Sequence, residues 1–218
     1  MKIPFTSAEF YGVFSAYNTA VWPMQLLLLA LGVLAVVLLF RRRRYTSIGI
    51  SAILTFLWVW QALGYHVAFF TAINPLAFAF AAVCMAGAAS IFWQGVIRRK
   101  LRFTSTPGWR KSAGWGLVIF ALIVYPAWTY VAGHRCPAFP TFGLPCPTTL
   151  FTIGMLAFLD KPYPRSVFVA PVLWCFVGSQ AAFVFDVTAD LGLIVAGVLG
   201  VLFMVQSQDM ALGSDKAK

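Results

Sequence analysis

Seven apolar stretches divide this chain, and nearly all of its positive charge falls in alternate gaps between them. A helix that crosses the hydrocarbon core of a bilayer needs about 20 mostly apolar residues. The runs at 21–40, 48–70, 75–97, 112–132, 142–159, 167–185 and 187–205 come close to that length. In lipid only helices and closed barrels satisfy every backbone polar group, and continuous apolar runs of this length do not suit barrel strands. Charged residues make up 10% of the chain and hydrophobic ones 61%, against roughly 25% charged in a soluble domain. The expected fold is therefore all-α: a polytopic transmembrane bundle of about seven helices. The fifth and seventh are the weakest, because Pro, Gly or Asp shortens each at its outer end.

The placement of Lys and Arg sets the orientation. Arg41 to Arg44 follow the first run. Arg98, Arg99, Lys100, Arg102, Arg110 and Lys111 separate the third from the fourth, Lys161 and Arg165 the fifth from the sixth, and Lys216 and Lys218 end the chain. Of the 16 basic residues, only Lys2 and Arg135 fall on the other side. The basic face is expected in the cytoplasm, with the N-terminus outside and the C-terminus inside. The arginine run then reads as a bilayer anchor in contact with anionic lipid, and nucleic acid is rejected as a partner. The first apolar run starts late and has no basic region before it, so it is expected to be retained rather than cleaved.

Residues 1–218 read as one integral membrane domain, with three distinct parts. An amphipathic interfacial helix is expected over 4–17. Thr6 and Glu9 have capping-box spacing, Phe5 and Phe10 occupy the positions of a hydrophobic staple, and Phe10, Val13, Phe14 and Tyr17 recur at helical period. Glu9 is thus expected to cap that helix rather than to form part of a site. An outer loop rich in Pro and Cys covers 133–149, and a cytoplasmic tail covers 207–218. The order of the runs also admits a three-plus-one-plus-three parallel repeat. Leu57-Trp58 would match Leu173-Trp174, and a short outer turn would follow each run. Small sugar transporters share that architecture, but their sequence signature is absent, so the parallel concerns architecture alone.

Polar residues at membrane depth are few, and each needs a partner or water. Most map to the outer edge. His66, Gln180 and Asp186, joined by Tyr17, Asn18 and Asp190, are the candidates for an outward-facing polar cavity that binds a small solute or ion. The competing reading makes them interfacial residues that tie helix ends together, with Asp190 complementing a helix dipole. His66 stands out because an imidazole titrates near neutral pH.

In the outer loop, four prolines (Pro137, Pro140, Pro145 and Pro147) oppose helix formation. Cys136 and Cys146 would face an oxidising compartment, and a disulfide between them is expected. A metal site of His134, Cys136 and Cys146 is the alternative, although the spacing matches no standard zinc motif. Cys84 and Cys175 lie within helices and read as packing residues. A haem between His66 and His134 is disfavoured because His134 is on a loop. The last run has no lysine for a retinal Schiff base. Phosphate-binding loops, zinc-protease motifs and nucleophile elbows are missing, so no catalytic residue and no cofactor are assigned and the chain reads as a non-enzyme.

Three segments carry a family resemblance: 16–23 (AYNTAVWP), 73–75 (INP) and 146–152 (CPTTLFT). They are similar to parts of a bacterial multi-pass membrane family known only as a domain of unknown function. The resemblance implies an inner-membrane protein and transfers no catalytic residue. Three functional expectations follow: binding or transport of a small solute or ion from the outer side, redox or metal handling at the His/Cys loop, or an accessory subunit without a site of its own. The bilayer is the expected partner, and oligomerisation stays open.

Overall fold

The computed structural model describes residues 5–41, 45–105 and 107–208. Within these the chain is helical, with two isolated β-bridges and no strand. Arg42 to Arg44, Lys2 and most of the tail read at 207–218 lie outside the described residues.

Helix α1 (Ser7–Ala20) meets α2 (Met24–Leu39) at 88°. The break falls at Pro23, which cannot continue the hydrogen-bond ladder. The capping box forms as expected. The Glu9 amide donates to Thr6 Oγ1 at 3.3 Å, and the Thr6 amide donates to Glu9 Oε2 at 2.7 Å. The Thr6 backbone amide, and then its hydroxyl, hold the Glu9 carboxyl below the usual carboxylate range. Phe5 stacks on Phe10 at 6.3 Å, completing the staple. Helix α1 runs three residues past the expected end at 17. Its apolar face packs on the end of the bundle against Tyr65, Phe70 and Phe185 rather than facing lipid.

Helix α3 (Thr46–Trp60) continues as a π-helical segment, Gln61–Val67, and ends in a 3₁₀ turn, Phe70–Ala72. Helix α4 (Ala77–Ile91) passes into a second π segment, Phe92–Ile97. Helix α5 (Trp109–Ile119) joins α6 (Tyr125–Val131) through a third, Phe120–Val124. Helix α7 is Pro145–Leu156, α8 is Ser166–Gly178, α9 is Gln180–Val184 and α10 is Leu191–Val205. Five helical segments are long and apolar enough to cross a membrane: Thr46–Ala72, Ala77–Ile97, Trp109–Val131, Ser166–Val184 and Thr188–Val205. The bent α1–α2 pair makes a sixth only if it is counted as one span.

The expected fifth span, 142–159, is different. Helix α7 has 12 residues, about 18 Å at 1.5 Å per residue, too short for a hydrocarbon core of about 30 Å. It does not face lipid. Every residue of α7 except the partly buried Cys146 is buried, and Ala157, Phe158 and Leu159 beyond it are fully buried. Helices α5, α8, α10 and α3 pack around it.

Burying a short helix on all sides requires partners for its end groups. At the N-terminus Pro145 and Pro147 have no N–H to satisfy. At the C-terminus the amides of Ala157, Phe158 and Leu159 close the last turn, and just beyond it Lys111 Nζ donates to the Phe158 carbonyl at 2.6 Å and Arg110 to the Leu159 carbonyl at 3.3 Å. The Thr104 amide also donates to Phe158 O, at 2.9 Å. Both basic side chains are buried, so the general reading of the basic residues as surface anchors fails for Arg110 and Lys111. Lys111 also pairs with Asp160 at 3.6 Å.

Along its length α7 touches α5 backbone to backbone. A Cβ at Gly114 would stand 2.8 Å from Gly154 O, and one at Gly154 would stand 3.0 Å from Gly114 O. Small residues at such a seam let helices approach closely in a bilayer. On another side Trp58, fully buried, donates its indole N–H to Thr152 Oγ1 at 3.0 Å. Thr152 in turn donates to Thr148 O at 2.7 Å.

The two halves of the suggested repeat pack differently. Helices α7, α8 and α10 form a mutually packed trio, whereas α2 packs on α3 and α3 on α4 without comparable α2–α4 packing. Trp58 binds α7, while Trp174 packs against His66.

Thr152→Val should strand the buried indole N–H of Trp58 and destabilise the bundle by about 1–2 kcal/mol, read from the unfolding midpoint in mixed micelles. Thr6→Ala should accelerate amide exchange in the first turn of α1 and leave α7 protected, as measured by hydrogen–deuterium exchange mass spectrometry.

Candidate functional site

At the end of the bundle away from the basic loops lies a cavity of about 170 Å³. This is room for on the order of five water molecules at ~30 Å³ each. Helix α1 and the residue before it roof the cavity with Phe5, Phe10 and Phe14. Its walls come from Tyr65 and Phe70 at the end of α3, Phe80 on α4 and Tyr125 at the α5–α6 junction. The N-terminus of α7, from Leu144 to Pro147, closes another side, and Gln180 and Phe185 stand beyond α8. Apolar ring surface dominates, and one carboxylate reaches it, that of Asp190.

Asp190 is 1% exposed. It stands at the N-cap position of α10, but its side chain makes no cap hydrogen bond. The carboxylate instead accepts from the Tyr125 hydroxyl at 2.7 Å, across 65 positions of sequence. The Cys146 side chain borders the same cavity. Among the described residues no Lys, Arg or His forms an ion pair with Asp190. An ionisable group buried at membrane depth is costly and marks functional sites and ion paths, and the helix N-terminus behind it favours negative charge.

Of the residues expected to line the cavity, Asp190 and Gln180 border it, and the others stand apart from it. His66 is buried among aromatic rings, 4.8 Å from Trp174 and 5.7 Å from Phe80 between centroids. Neither ring nitrogen has a hydrogen-bond partner, and His66 does not border the cavity. The neighbouring Gln61 amide, which opens the same π segment, is also without a partner. Gln180 is exposed at the cavity rim. Asp186 is exposed as well, on a turn where its own φ is +57°. Tyr17 is fully buried and accepts a hydrogen bond from the Trp60 indole at 2.7 Å. Asn18 is a structural clamp. Its amide donates to Pro137 O at 2.7 Å and Phe139 O at 2.8 Å, while its oxygen accepts from Thr141 at 2.7 Å. It thereby holds the proline-rich loop against α1.

The loop cysteines are unbonded. Cys146, the second residue of α7, borders the cavity of Asp190, while the exposed Cys136 borders a separate hollow of about 290 Å³ beside Asn18 and Gln25. The rigid start of α7 aims one thiol inward while the loop carries the other outward. His134 is also drawn away: its ring stacks on Tyr11 at 4.4 Å, and its Nε2 lies 3.0 Å from the Tyr11 hydroxyl. Among the described residues no group of three His, Cys, Asp or Glu side chains could hold a metal ion, which removes the alternative set of His134, Cys136 and Cys146.

Tyr125 went unnoticed in the sequence. It lies in the middle of an apolar run, and its only signal is the Pro126 that follows it. A larger hollow, about 760 Å³, is at the basic end among the exposed Arg41, Arg99 and Arg102.

The three segments that carried the family resemblance fall at the α1–α2 corner, the turn before α4 and the start of α7. The latter two place Asn74 and Cys146 on the cavity wall. A family model described as "Family of unknown function (DUF6064)" matches residues 7–213. No curated protein and no solved structure gives a significant match. By a match that spans nearly its whole length, the chain belongs to the DUF6064 family.

Proposed function

We propose that this protein binds, and by binding helps to move, a small solute or ion that enters from the side opposite the basic loops, and that it does so in the inner membrane of a bacterium. The observation that carries this reading is the buried carboxylate of Asp190 in a cavity roofed by α1. A scaffold without a site gains nothing from a carboxylate that is 1% exposed and has a hydroxyl and a thiol for company, since such a group costs stability in an apolar setting. The orientation rests on the distribution of Lys and Arg, and the family resemblance supports the bacterial setting.

Two measurements test this reading. A membrane-impermeant maleimide added to intact spheroplasts should label Cys136 without prior reductant; labelling only after lysis would invert the orientation. In purified protein carrying Cys136→Ser, the small neutral reagent methyl methanethiosulfonate should modify Cys146. Tryptic mass spectrometry showing Cys146 as inert as Cys84 and Cys175 would remove the accessible cavity and the reading with it.

A further inference from the structure

Resting on the reading of this cavity as a solute site, we infer that its ligand is a small organic ammonium ion, held by Asp190 within a box of aromatic rings. The first observation is the missing counter-charge. The carboxylate is buried, and among the described residues no cationic side chain pairs with it. A buried carboxylate gains most from a positive partner when water is excluded. An anionic ligand would meet Asp190 directly, and nothing on the cavity wall is positively charged.

The second observation is the wall itself. Phe5, Phe10, Tyr65, Phe70, Tyr125 and Phe185 all border the cavity. Ring faces attract cations through their quadrupole, and aromatic cages recognise quaternary ammonium groups in this way. The same wall suits a metal ion poorly. Hard cations take six or more oxygen ligands, whereas the side-chain oxygens here come from Asp190, Tyr65, Tyr125, Asn74 and Gln180. The Asn74 oxygen already accepts from the Leu76 amide at 3.0 Å. A cation that sheds its hydration readily and presents methyl groups to the rings fits both the charge and the surface. The cavity, at about 170 Å³, limits it to a compact headgroup.

The third observation is the approach. Glu9 and the exposed Asp186 lie at the same end of the molecule. The described basic residue of that end, Arg135, is drawn over the Tyr130 ring at 3.9 Å. With Lys2 of the sequence counted on the same side, the approach opposes neither sign of charge, and selection falls to Asp190 inside the cavity.

Methyl methanethiosulfonate modification of Cys146 supplies the test, with full-length Cys136→Ser protein in detergent micelles. Choline and tetramethylammonium chloride should each slow the modification at least fivefold. The neutral isostere 3,3-dimethylbutan-1-ol, at equal concentration, should leave it unchanged. Asp190→Asn should raise the half-protecting choline concentration at least tenfold, with protection always compared within one variant because Asp190 shares the cavity with the thiol. If Asp190→Asn does not fold, Tyr125→Phe and Phe185→Leu should each weaken protection severalfold. Equal protection by choline and its isostere, or none by either while Cys146 still reacts, would overturn the ammonium assignment and leave the cavity reading standing. A Cys146 that never reacts overturns both.

Discussion

A helix too short to span the membrane is buried at the centre of this protein, and the surrounding structure is organised by the need to satisfy its ends. Helix α7 has no lipid-facing side, so its terminal backbone groups cannot rely on water. Prolines remove two donors at one end. Lys111, Arg110 and the amide of Thr104 reach the carbonyls just beyond the other. That requirement draws two basic side chains inward and presses the 101–104 segment against the chain leaving α7. The glycine seam with α5 and the Trp58–Thr152 hydrogen bond then set how closely the outer helices can gather.

The candidate site inherits its geometry from the same pillar. The start of α7 places Cys146 beside Asp190, and the adjoining loop is clamped by Asn18 on α1. Because α1 turns through 88° at Pro23, its aromatic face comes down over the cavity instead of lying in lipid. Charge, roof and thiol are thus contributed by segments far apart in the chain. The carboxylate is held by Tyr125 on α6, and the roof by the contacts of Asn18 with the loop and of Tyr17 with Trp60. A ligand of the cavity would interact with the roof helix as well as with the carboxylate, which gives binding a route to the position of α1.

How much of this was legible in the sequence depended on the range of the interaction. The capping box and the staple are encoded within a few residues, and they read correctly, whereas the break at Pro23 was folded into the run 21–40. Hydropathy found the long spans but counted α7 among them, because an apolar run looks the same whether lipid or protein surrounds it. Arg110 and Lys111 looked like anchors because charge counting cannot see a carbonyl 49 or 47 positions away. Asp186 and Asp190 are four residues apart, and their roles divide at a turn: one sits at φ +57° and faces out, the other begins a helix and faces in. His66 was attractive for its chemistry, but the π segment that carries it turns the ring into an aromatic pocket without partners.

The sequence by itself determined that this chain is built of helices apolar and long enough for a membrane, because transfer energies into lipid are sums over residues that need no coordinates. It also determined the start of α1, where donor and acceptor are three residues apart. The tertiary structure alone decided which apolar run would become the core, which acidic residue would be buried and which thiol would meet it. Those outcomes turn on groups that find partners across 47 to 65 positions, and the pairing of Tyr125 with Asp190 exists only once the helices are gathered around α7.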